Sequence, residues 1–322
     1  MKKMKFALDA DTLLHRSAAL CQNNYDVIHK ETGNIVTSVT SMKAFKDNIP
    51  KDAPEGYLDL FEFRANITPI IPAGSDKPEI VGYHALKLQI EKIINDNRKW
   101  IDDFKIVLHG EGNFRNDIAT IAPYKGQRKE KPLFWQAVKD WAFKTYKDSL
   151  IIAQGEESDD IVSQMAFTEY MRVGENPKKF SVCIAGVDKD LLQVVSHHYN
   201  FDKNTYQWVG RKEAAYNFYV QLLMGDVSDN IKGLVDLPPE ARKEYGLKGK
   251  GIGEKAAERI LEGLETPKEM MERCVSCYEM QYKEKWYDVM EENCRLLYLR
   301  KLPNEMYDLG ERLTRMGISY ER

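Results

Sequence analysis

Short apolar runs alternate, over the first two thirds of the chain, with longer segments in which apolar residues recur every three or four positions. The short runs have the length and composition of buried strands, and they lie at residues 4–8, 104–108, 149–153 and 180–185. The longer segments have the spacing of amphipathic helices, and the clearest lie at 83–97 and 131–146. This alternation predicts an α/β fold with a central, mostly parallel sheet flanked by helices.

Two other regions differ from this alternation. The segment "DVIHKETGNIVTSV" is typical of a hairpin that turns at Thr32–Gly33–Asn34. From about residue 211 the apolar spacing becomes mostly helical. We therefore expect an α/β domain over residues 1–210 and a helical region over 211–322.

Acidic residues follow each of the predicted buried strands. They are Asp9, Glu111, the cluster at 156–160, and the pair Asp188 and Asp190. Capping of a helix explains one or two acids at its first turn. The carboxyl ends of parallel strands, however, meet at one edge of a sheet, where ligands bind. Carboxylates gathered there resist ionising together, so the pattern predicts hard divalent cations with oxygen ligands.

Two motifs in the helical region add to this chemistry. "GDVSDN" (225–230) contributes Asp226 and Asp229, three residues apart. "GLKGKGIGEKAAERIL" (246–261) sets glycines before a helix, but it fits neither the dinucleotide-binding nor the Walker pattern. Its tight turn could offer backbone amides to a phosphate. A plain turn between two helices is the alternative.

Composition limits the partners that the chain can take. The 322 residues carry a net charge of −3, so contact with a nucleic acid requires a local basic patch. Between Phe114 and Asp148 eight basic residues face four acidic ones, most densely in "APYKGQRKEKP" (122–132). Basic groups beside a tyrosine suit a site that follows a nucleic-acid backbone and stacks on bases. An ordinary solvated surface is the alternative.

The start of the chain, its apolar runs and its cysteines favour a cytoplasmic protein. The apolar run in the first segment, "MKKMKFALDADTLL", is too short for a signal peptide. No apolar run approaches the length that a membrane-spanning helix needs. Five cysteines suggest no disulfide framework. The pair in "CVSC" (274–277) favours neighbouring turns of a helix over a zinc site.

Six motifs occur in the order found in the 5′-nuclease family. They are "LDADTLLHR", "FR…APYKGQRKEK", "EESDD", "AGVDKDL", "LLMGDVSDNIKG" and "GKGIGEKAAERIL". The chain resembles, over about residues 4–262, the phage 5′–3′ exonucleases, flap endonucleases and the 5′-nuclease domain of bacterial DNA polymerase I. The resemblance implies a PIN-like 5′-nuclease fold with a basic helical arch near 113–148. It also implies a helix–turn–helix DNA-binding element at 246–261.

The resemblance further implies two Mg²⁺ or Mn²⁺ ions and their ligands. The residues matching the first ion's ligands are Asp9, Glu111, Glu157 and Asp159. Those matching the second ion's ligands are Asp188, Asp190, Asp226 and Asp229. Asp160 matches a supporting carboxylate of the catalytic site.

Contacts to DNA follow from the same resemblance. Lys125 and Arg128 match a basic pair on the arch that contacts the scissile phosphate. Tyr124 is expected to stack on a base. The remaining residues expected to bind DNA are Arg115, Lys129, Lys131, Lys250, Gly251, Gly253 and Lys255. The glycine-rich turn would also bind K⁺ through its carbonyl groups.

The chain departs from the family pattern at two places. Gly110 occupies the position where the family has an aspartate, and Glu111 follows one residue later. About fifteen residues, covering 234–248, separate two motifs that the family joins closely. The first departure places metal binding in question, and the second places the grip on duplex DNA in question.

The expected function is a metal-dependent 5′–3′ exonuclease or flap endonuclease that hydrolyses phosphodiester bonds at DNA 5′ ends, flaps or nicks. Phage replication or primer removal is the expected setting, with RNA–DNA hybrids as a further substrate and replication proteins as further partners. One alternative is a structure-specific DNA-binding protein of the same fold that has lost catalysis. A ribonuclease of related architecture is another.

Overall fold

A computed structural model describes residues 3–128 and 130–320, and Lys129, expected to bind DNA, lies outside them. The strands are β1 Met4–Asp9, β2 Gln22–His29, β3 Ile35–Val39, β4 Phe61–Pro69, β5 Ile101–His109, β6 Leu150–Ala153, β7 Val182–Ala185, β8 Ser196–Asn200, β9 Thr205–Val209, β10 Gly225–Asp226 and β11 Ile231–Lys232. The helices are α1 Asp11–Ala19, α2 Met42–Asp47, α3 Glu79–Asn97, α4 Phe114–Ile118, α5 Trp135–Thr145, α6 Ser158–Val173, α7 Arg211–Met224, α8 Pro239–Glu244, α9 Glu254–Ile260, α10 Pro267–Tyr282, α11 Trp286–Leu297 and α12 Leu309–Met316.

A six-stranded sheet has the order β6-β5-β1-β7-β8-β9. Strand β1 pairs in parallel with β5 and β7, and β7 pairs in parallel with β8, whereas β9 runs antiparallel to β8. The predicted α/β class with a mostly parallel sheet is therefore confirmed. All four predicted buried strands form, although the last begins at Val182 rather than at residue 180.

The central strand β1 is buried along almost its whole length, which explains its continuous apolar sequence. Phe6, Ala7 and Leu8 are fully buried. Helix α6 packs against β1, β5 and β7. A strand covered on both faces gains from apolar side chains at every position. Lys5 is the exposed position near its start, and Asp9 marks the carboxyl end of the strand.

The chain divides into two compact units, along a line different from the one expected at residue 210. The first unit comprises residues 1–9, 99–129 and 151–322, and the second comprises 10–98 and 130–150, as far as these are described. The first unit thus joins the six-stranded sheet with the C-terminal helices. The functional division at 210, between a catalytic and a DNA-binding part, remains a prediction.

The second unit contains a three-stranded antiparallel sheet in the order β3-β2-β4. The predicted hairpin forms, because β2 and β3 are joined across the turn at 30–34. Phe61 packs against Phe45, Tyr57 and His29 at one end of this sheet. Helices α1, α3 and α5 pack together in the same unit.

The helical part of the first unit has its own apolar core, to which α7, α9, α10 and α11 contribute. The extra segment at 234–248 forms α8 and the turn that follows it. Cys274 and Cys277 are buried in α10, as the sequence favours. Burial raises the pKa of Cys277 to about 11, so this thiol stays protonated. Across the described residues, no helix has the length and apolar character that would let it cross a membrane.

Candidate metal and nucleic-acid site

The acidic cluster lies at the start of α6, beside the carboxyl end of β1. Glu157 caps α6 in a reciprocal arrangement, in which the Asp160 side chain accepts a hydrogen bond from the Glu157 amide over 3.1 Å. Ser158 Oγ donates to Asp9 Oδ1 over 2.7 Å. Local sequence therefore fixes the helix start, and the serine ties it to the strand.

Beneath this cluster, Arg115 and Asp160 form a buried ion pair. The two guanidinium nitrogens of Arg115 lie 2.6 and 3.0 Å from the two carboxylate oxygens of Asp160. Arg115 also donates to the carbonyl oxygens of Leu296 (2.8 Å) and Tyr298 (3.0 Å), in the segment that ends α11. Four of the five guanidinium N–H groups thus have a hydrogen-bond partner, and a buried ion pair needs such partners in order to be stable.

The remaining carboxylates at the start of α6 differ in their pKa values. Burial raises the pKa of Asp159 well above its usual value, and the charges of Glu157, Asp160 and Asp9 add to the rise. Burial acts in the same direction on Glu157, but the charges of Lys125 and Arg115 outweigh it and lower the pKa of Glu157. One carboxylate in the cluster is thus paired with cations, while its neighbour has excess negative charge around it.

Three residues of the basic segment, Tyr124, Lys125 and Arg128, contact two carboxylates. One is Glu157 at the start of α6, and the other is Asp229. The Tyr124 hydroxyl donates to Glu157 Oε2 (2.9 Å) and to Asp229 Oδ2 (2.7 Å). Lys125 Nζ donates to Glu157 Oε1, and Arg128 Nη2 donates to Asp229 Oδ1 over 2.5 Å. Residues from three distant parts of the chain therefore meet here, and the basic pair expected at the active site lies beside the expected metal ligands.

A second carboxylate group contains Asp188, Asp190 and Asp226. Asp188 Oδ1 accepts from the Asp190 amide over 3.0 Å, and Asp226 is buried and accepts from the Ser228 hydroxyl over 2.6 Å. Burial, with the charges of Asp188 and Asp226, raises the pKa of Asp190 to about 7. The Oδ1 atom of Asp190 is buried without a hydrogen-bond partner. A buried carboxylate oxygen of this kind is a donor suited to a hard cation.

The raised pKa of Asp190 predicts a pH dependence of stability in the presence of EDTA. Between its ordinary pKa near 4 and about 7, the folded protein holds a proton that the unfolded chain releases. The free energy of unfolding therefore falls as pH rises from about 4 to about 7, and above pH 7 Asp190 causes no further change. Asp190→Asn lacks this ionisation, so urea denaturation should show the variant becoming more stable relative to the wild type as pH rises from about 4 to about 7. A stability difference that does not depend on pH would contradict the raised pKa of Asp190.

The donor chemistry fits divalent cations, although the ligands are not preassembled. Among residues 3–128 and 130–320, no three His, Cys, Asp or Glu side chains form a group that could hold a metal ion. Instead, Lys125 forms an ion pair with Glu157, and Arg128 forms one with Asp229. The raised pKa values of Asp159 and Asp190 show that uncompensated negative charge remains. Hard cations would relieve this repulsion.

Glu111 is the expected ligand with the least structural support, although its carbonyl oxygen accepts from the Gly155 amide over 2.8 Å, beside the acidic cluster. It is exposed, and its backbone amide donates to Gln154 Oε1 over 3.0 Å. The preceding Gly110 is packed closely, because a Cβ atom there would lie 2.5 Å from the carbonyl oxygen of Ala153. An aspartate at 110 would therefore need a shift of the backbone. The assignment of Glu111 as a metal ligand remains a prediction.

The packing of Gly110 gives a direct stability test. Gly110→Ala should lower the free energy of unfolding by about 1–3 kcal/mol, because backbone atoms must move to admit the methyl group. Gly249→Ala is the matched control, since a Cβ atom there meets nothing within 4 Å. Urea denaturation of both variants measures the difference. Equal stabilities would show that the contact with Ala153 is easily relieved.

Three residues with expected roles at the site are buried. Arg115 is 1% exposed and bound to Asp160. Tyr124 is 8% exposed, its hydroxyl contacts two carboxylates and Lys125 lies over its ring. Asp160 is fully buried and holds Arg115 and the start of α6. DNA contact by Arg115 and Tyr124 and a catalytic part for Asp160 remain predictions.

The remaining residues expected to bind DNA are exposed or lie at the glycine-rich turn. Lys131 is exposed, with its Nζ 3.6 Å from the centre of the Trp135 ring. Gly251 has a positive φ of 88°, and Gly253 precedes α9. A cavity of about 220 Å³ beside this turn is lined by Lys248, Gly249, Gly251, Lys255 and Arg259, among others. DNA binding by Lys250 and its neighbours, and K⁺ binding by the turn, remain predictions.

Two residues of the site could not be predicted from the sequence. Ser158 lies within the acidic motif, but its hydroxyl contact with Asp9 can be expected only if β1 and α6 are known to be adjacent. Arg300 packs its guanidinium 3.3 Å from the centre of the Phe114 ring, 3.6 Å from Glu156. Its amide donates to Asp160 Oδ1 over 2.9 Å. No local pattern marks Arg300, because its partners are distant in sequence.

Comparison with known proteins gives similarity in structure alone. No protein-family model matches the chain, and no curated protein sequence matches it. Solved structures similar to it include the bacteriophage T5 D15 protein co-crystallized with metal ions (14% identity, 66% of this chain and 92% of that chain, TM-score 0.35). Another is a T5 D15 flap endonuclease variant in a pseudo-enzyme–product complex with DNA and metal ions (14%, 67% and 90%, 0.34). A third is a mutant of the T5 5′-exonuclease (14%, 67% and 93%, 0.36). At 14% identity and TM-scores of 0.34–0.36, this similarity assigns no function to the chain.

Proposed function

We propose that this protein is a metal-dependent nuclease that hydrolyses phosphodiester bonds at DNA 5′ ends, flaps or nicks. The observation that carries the proposal is the meeting of two opposite charge groups in the first compact unit. Carboxylates lie beyond the parallel strands, among them Asp159 and Asp190 with raised pKa values, and Lys125 and Arg128 pair with the carboxylates of Glu157 and Asp229. A site that joins excess carboxylates with basic side chains suits binding of metal ions and of a phosphate together.

The ligands proposed for divalent cations fall into two sets. Asp9, Glu157 and Asp159 belong to the first set, and Asp188, Asp190, Asp226 and Asp229 to the second. When bound, two divalent cations lower the pKa of an attacking water and stabilise the leaving oxygen. Mg²⁺ and Mn²⁺ both suit carboxylate donors. No covalent nucleophile is required.

Residues of the chain orient the carboxylates before any ligand arrives. Ser158 fixes one oxygen of Asp9, and Tyr124 holds Glu157 and Asp229 through one hydroxyl. Burial raises the pKa of Tyr124 well above its usual value, so the hydroxyl remains a donor. Fixed donors reduce the reorganisation needed when charge develops.

Lys125 and Arg128 are placed to contact a phosphate lying over the carboxylates. Arg128 is exposed and Lys125 is partly buried, so both can turn from the carboxylates towards solvent. Their positive charges would then stabilise the negative charge that develops on the scissile phosphate. Arginine adds a forked pair of donors that matches phosphate oxygens.

Cleavage of 5′-labelled DNA tests the proposal. A flap substrate and a blunt duplex are each incubated with Mg²⁺, with Mn²⁺ and with EDTA. We expect short labelled products in the presence of either metal and none in EDTA. Product length separates exonuclease from flap cutting.

Comparison of two arginine variants tests whether cleavage depends on Arg128. Arg128→Gln should lower kcat by about 100–1,000-fold, the usual cost of losing a group that stabilises transition-state charge. Arg315→Gln is the control, because Arg315 is exposed and, within residues 3–128 and 130–320, its ion-pair partner is Glu311 on α12. An equal fall of kcat in both variants would show that Arg128 does not contribute specifically to cleavage.

One observation favours the alternative of a DNA-binding protein without catalysis. Glu111 is exposed to solvent, and the described residues form no preassembled metal group. Such a protein would bind the flap substrate with the same affinity in Mg²⁺ and EDTA and would release no product in either metal. That outcome would replace the nuclease proposal.

A further inference from the structure

Two neighbouring cavities at the C-terminal side of the first unit are lined by basic side chains. One, of about 200 Å³, is lined by Arg211, Lys301 and Arg312 together with apolar and tyrosine side chains. The other, of about 230 Å³, shares Val195, Arg211 and Lys301 with the first. No acidic residue of the described chain lines either cavity. In a protein of net charge −3, three cations without a lining acid call for an explanation.

The cations of this pocket outnumber the acids near it. Glu305 lies 3.5 Å from Arg312 Nη2 and accepts from the Lys301 amide over 2.7 Å, and Glu175 accepts from the Arg211 amide over 2.8 Å. Neither Lys301 nor Arg211 forms an ion pair with any described residue; Lys301 Nζ lies 5.2 Å from the centre of the Tyr298 ring. Three cations against two carboxylates leave a net positive charge, which suits an anion. Cations without a carboxylate partner gain most from such a ligand.

Helix α7 borders the pocket. Arg211 is its first residue, and Ala214 and Ala215 of its first turns line the cavity of about 200 Å³. The amino terminus of the helix is already occupied, because Glu175 accepts a hydrogen bond from the Arg211 amide over 2.8 Å. The side chains of Arg211, Lys301 and Arg312, rather than the helix dipole, therefore indicate the ligand chemistry.

We propose that this pocket binds a small phosphomonoester, with its phosphoryl group between Arg211, Lys301 and Arg312. The apolar part of the lining accommodates a compact organic group, and it comprises Phe218, Pro267, Leu299 and Met316 in one cavity and Phe167 and Val194 in the other. Each cavity is smaller than the roughly 300–1,000 Å³ typical of sites for drug-sized ligands, so the ligand is small. The inference does not depend on nuclease activity.

The protonation of Lys301 supplies a signature of binding. Burial, with the positive charges of Arg312 and Arg211, lowers the pKa of Lys301 to about 8, against the opposing effect of Glu305. The Tyr298 hydroxyl also faces this group, but burial keeps it protonated. A bound dianion raises the pKa of Lys301 again. The protein should therefore take up a fraction of a proton on binding at pH 8.

Isothermal titration calorimetry of the full chain in EDTA tests the proposal. The probes are inorganic phosphate, phenyl phosphate, a nucleoside 5′-monophosphate and, as the uncharged control, phenol. We expect both phosphomonoesters to bind more tightly than inorganic phosphate and phenol to give no binding. Comparison of phenyl phosphate with the nucleotide separates a general phosphomonoester site from a nucleotide site. Titration at pH 8 in two buffers of different ionisation enthalpy measures proton uptake.

Four variants locate the binding. Lys301→Gln and Arg211→Gln should each raise the Kd of phenyl phosphate by about tenfold, as expected for a lost charge-assisted hydrogen bond. Lys178→Gln, on an exposed lysine outside the cavities, and Arg128→Gln should leave Kd unchanged. Since the Arg211 side chain is exposed, its variant remains informative if Lys301→Gln fails to fold. Absence of binding, a stronger effect of Arg128→Gln, or preference for inorganic phosphate would overturn the proposal.

Discussion

Asp159→Asn should lower the rate of metal-dependent cleavage by at least about 1,000-fold while leaving the protein folded. Asp159 is partly buried at the start of α6, where desolvation, with the charges of Glu157, Asp160 and Asp9, raises its pKa. Asparagine keeps one oxygen that can accept the Asp160 amide, which donates to Asp159 Oδ1 over 2.8 Å. The change therefore removes charge with little loss of shape. Metal ions contribute several kcal/mol to such reactions, and each 1.36 kcal/mol is tenfold in rate.

The same variant should be more stable than the wild type in EDTA. Asp159 has a folded pKa above its unfolded value, so its ionised form costs stability at neutral pH. Removing that charge should raise the free energy of unfolding by roughly 0.5–2 kcal/mol, the range of ordinary stabilising substitutions. A gain in stability joined to a loss of activity is typical of a strained functional site.

Single-turnover kinetics and urea denaturation check the two effects together. Glu279→Gln is the control, because Glu279 is an exposed acid on α10, distant in sequence from the site. It should change neither quantity appreciably. If Asp159→Asn retains full activity in Mg²⁺, the proposal that the α6 carboxylates hold metal fails. If it loses activity and stability together, unfolding accounts for the loss.

Arg115→Met should lower the free energy of unfolding by about 3–5 kcal/mol, the cost of leaving a buried charge without its partner. Asp160 is fully buried and would lose both guanidinium hydrogen bonds. The carbonyl oxygens of Leu296 and Tyr298 would also lose a donor. The end of α11 and the start of α6 would then separate more easily. Activity should fall only as far as folding does.

Urea denaturation at pH 7 measures this effect against two comparison variants. Arg315→Met breaks the exposed pair with Glu311, and it should cost far less, because solvent screens that pair. Arg115→Lys keeps the charge but not the forked geometry, so it should fall between the two. Equal losses for Arg115→Met and Arg315→Met would show that the buried pair contributes little.

Elements set by local pattern were predictable. The strand around Phe6 is apolar at successive positions because both of its faces are covered, and Asp9 follows because the strand ends there. The hairpin at 30–34 needed only its turn residues. The start of α6 is a reciprocal cap between Glu157 and Asp160, three residues apart. Such features depend on neighbours in sequence.

Contacts between distant residues were not predictable, and they bear on several assignments. Asp160 binds Arg115 across 45 residues and the Arg300 amide across 140. Tyr124 meets Asp229 across 105 residues, which buries a ring expected to face DNA. Arg115 and Lys125 are both basic residues beside an acidic motif, and sequence alone treated them alike.

The sequence by itself determined the α/β class, the strand ends and the supply of carboxylates, because period and composition record which faces are buried. Tertiary structure decided which charges are used for stability and which remain available for chemistry. It buried Arg115 with Asp160, and it left Lys125 and Arg128 at the edge of the site. The physical reason is desolvation: the value of a charge depends on the dielectric and the partners around it, and both are set by residues far away in the chain.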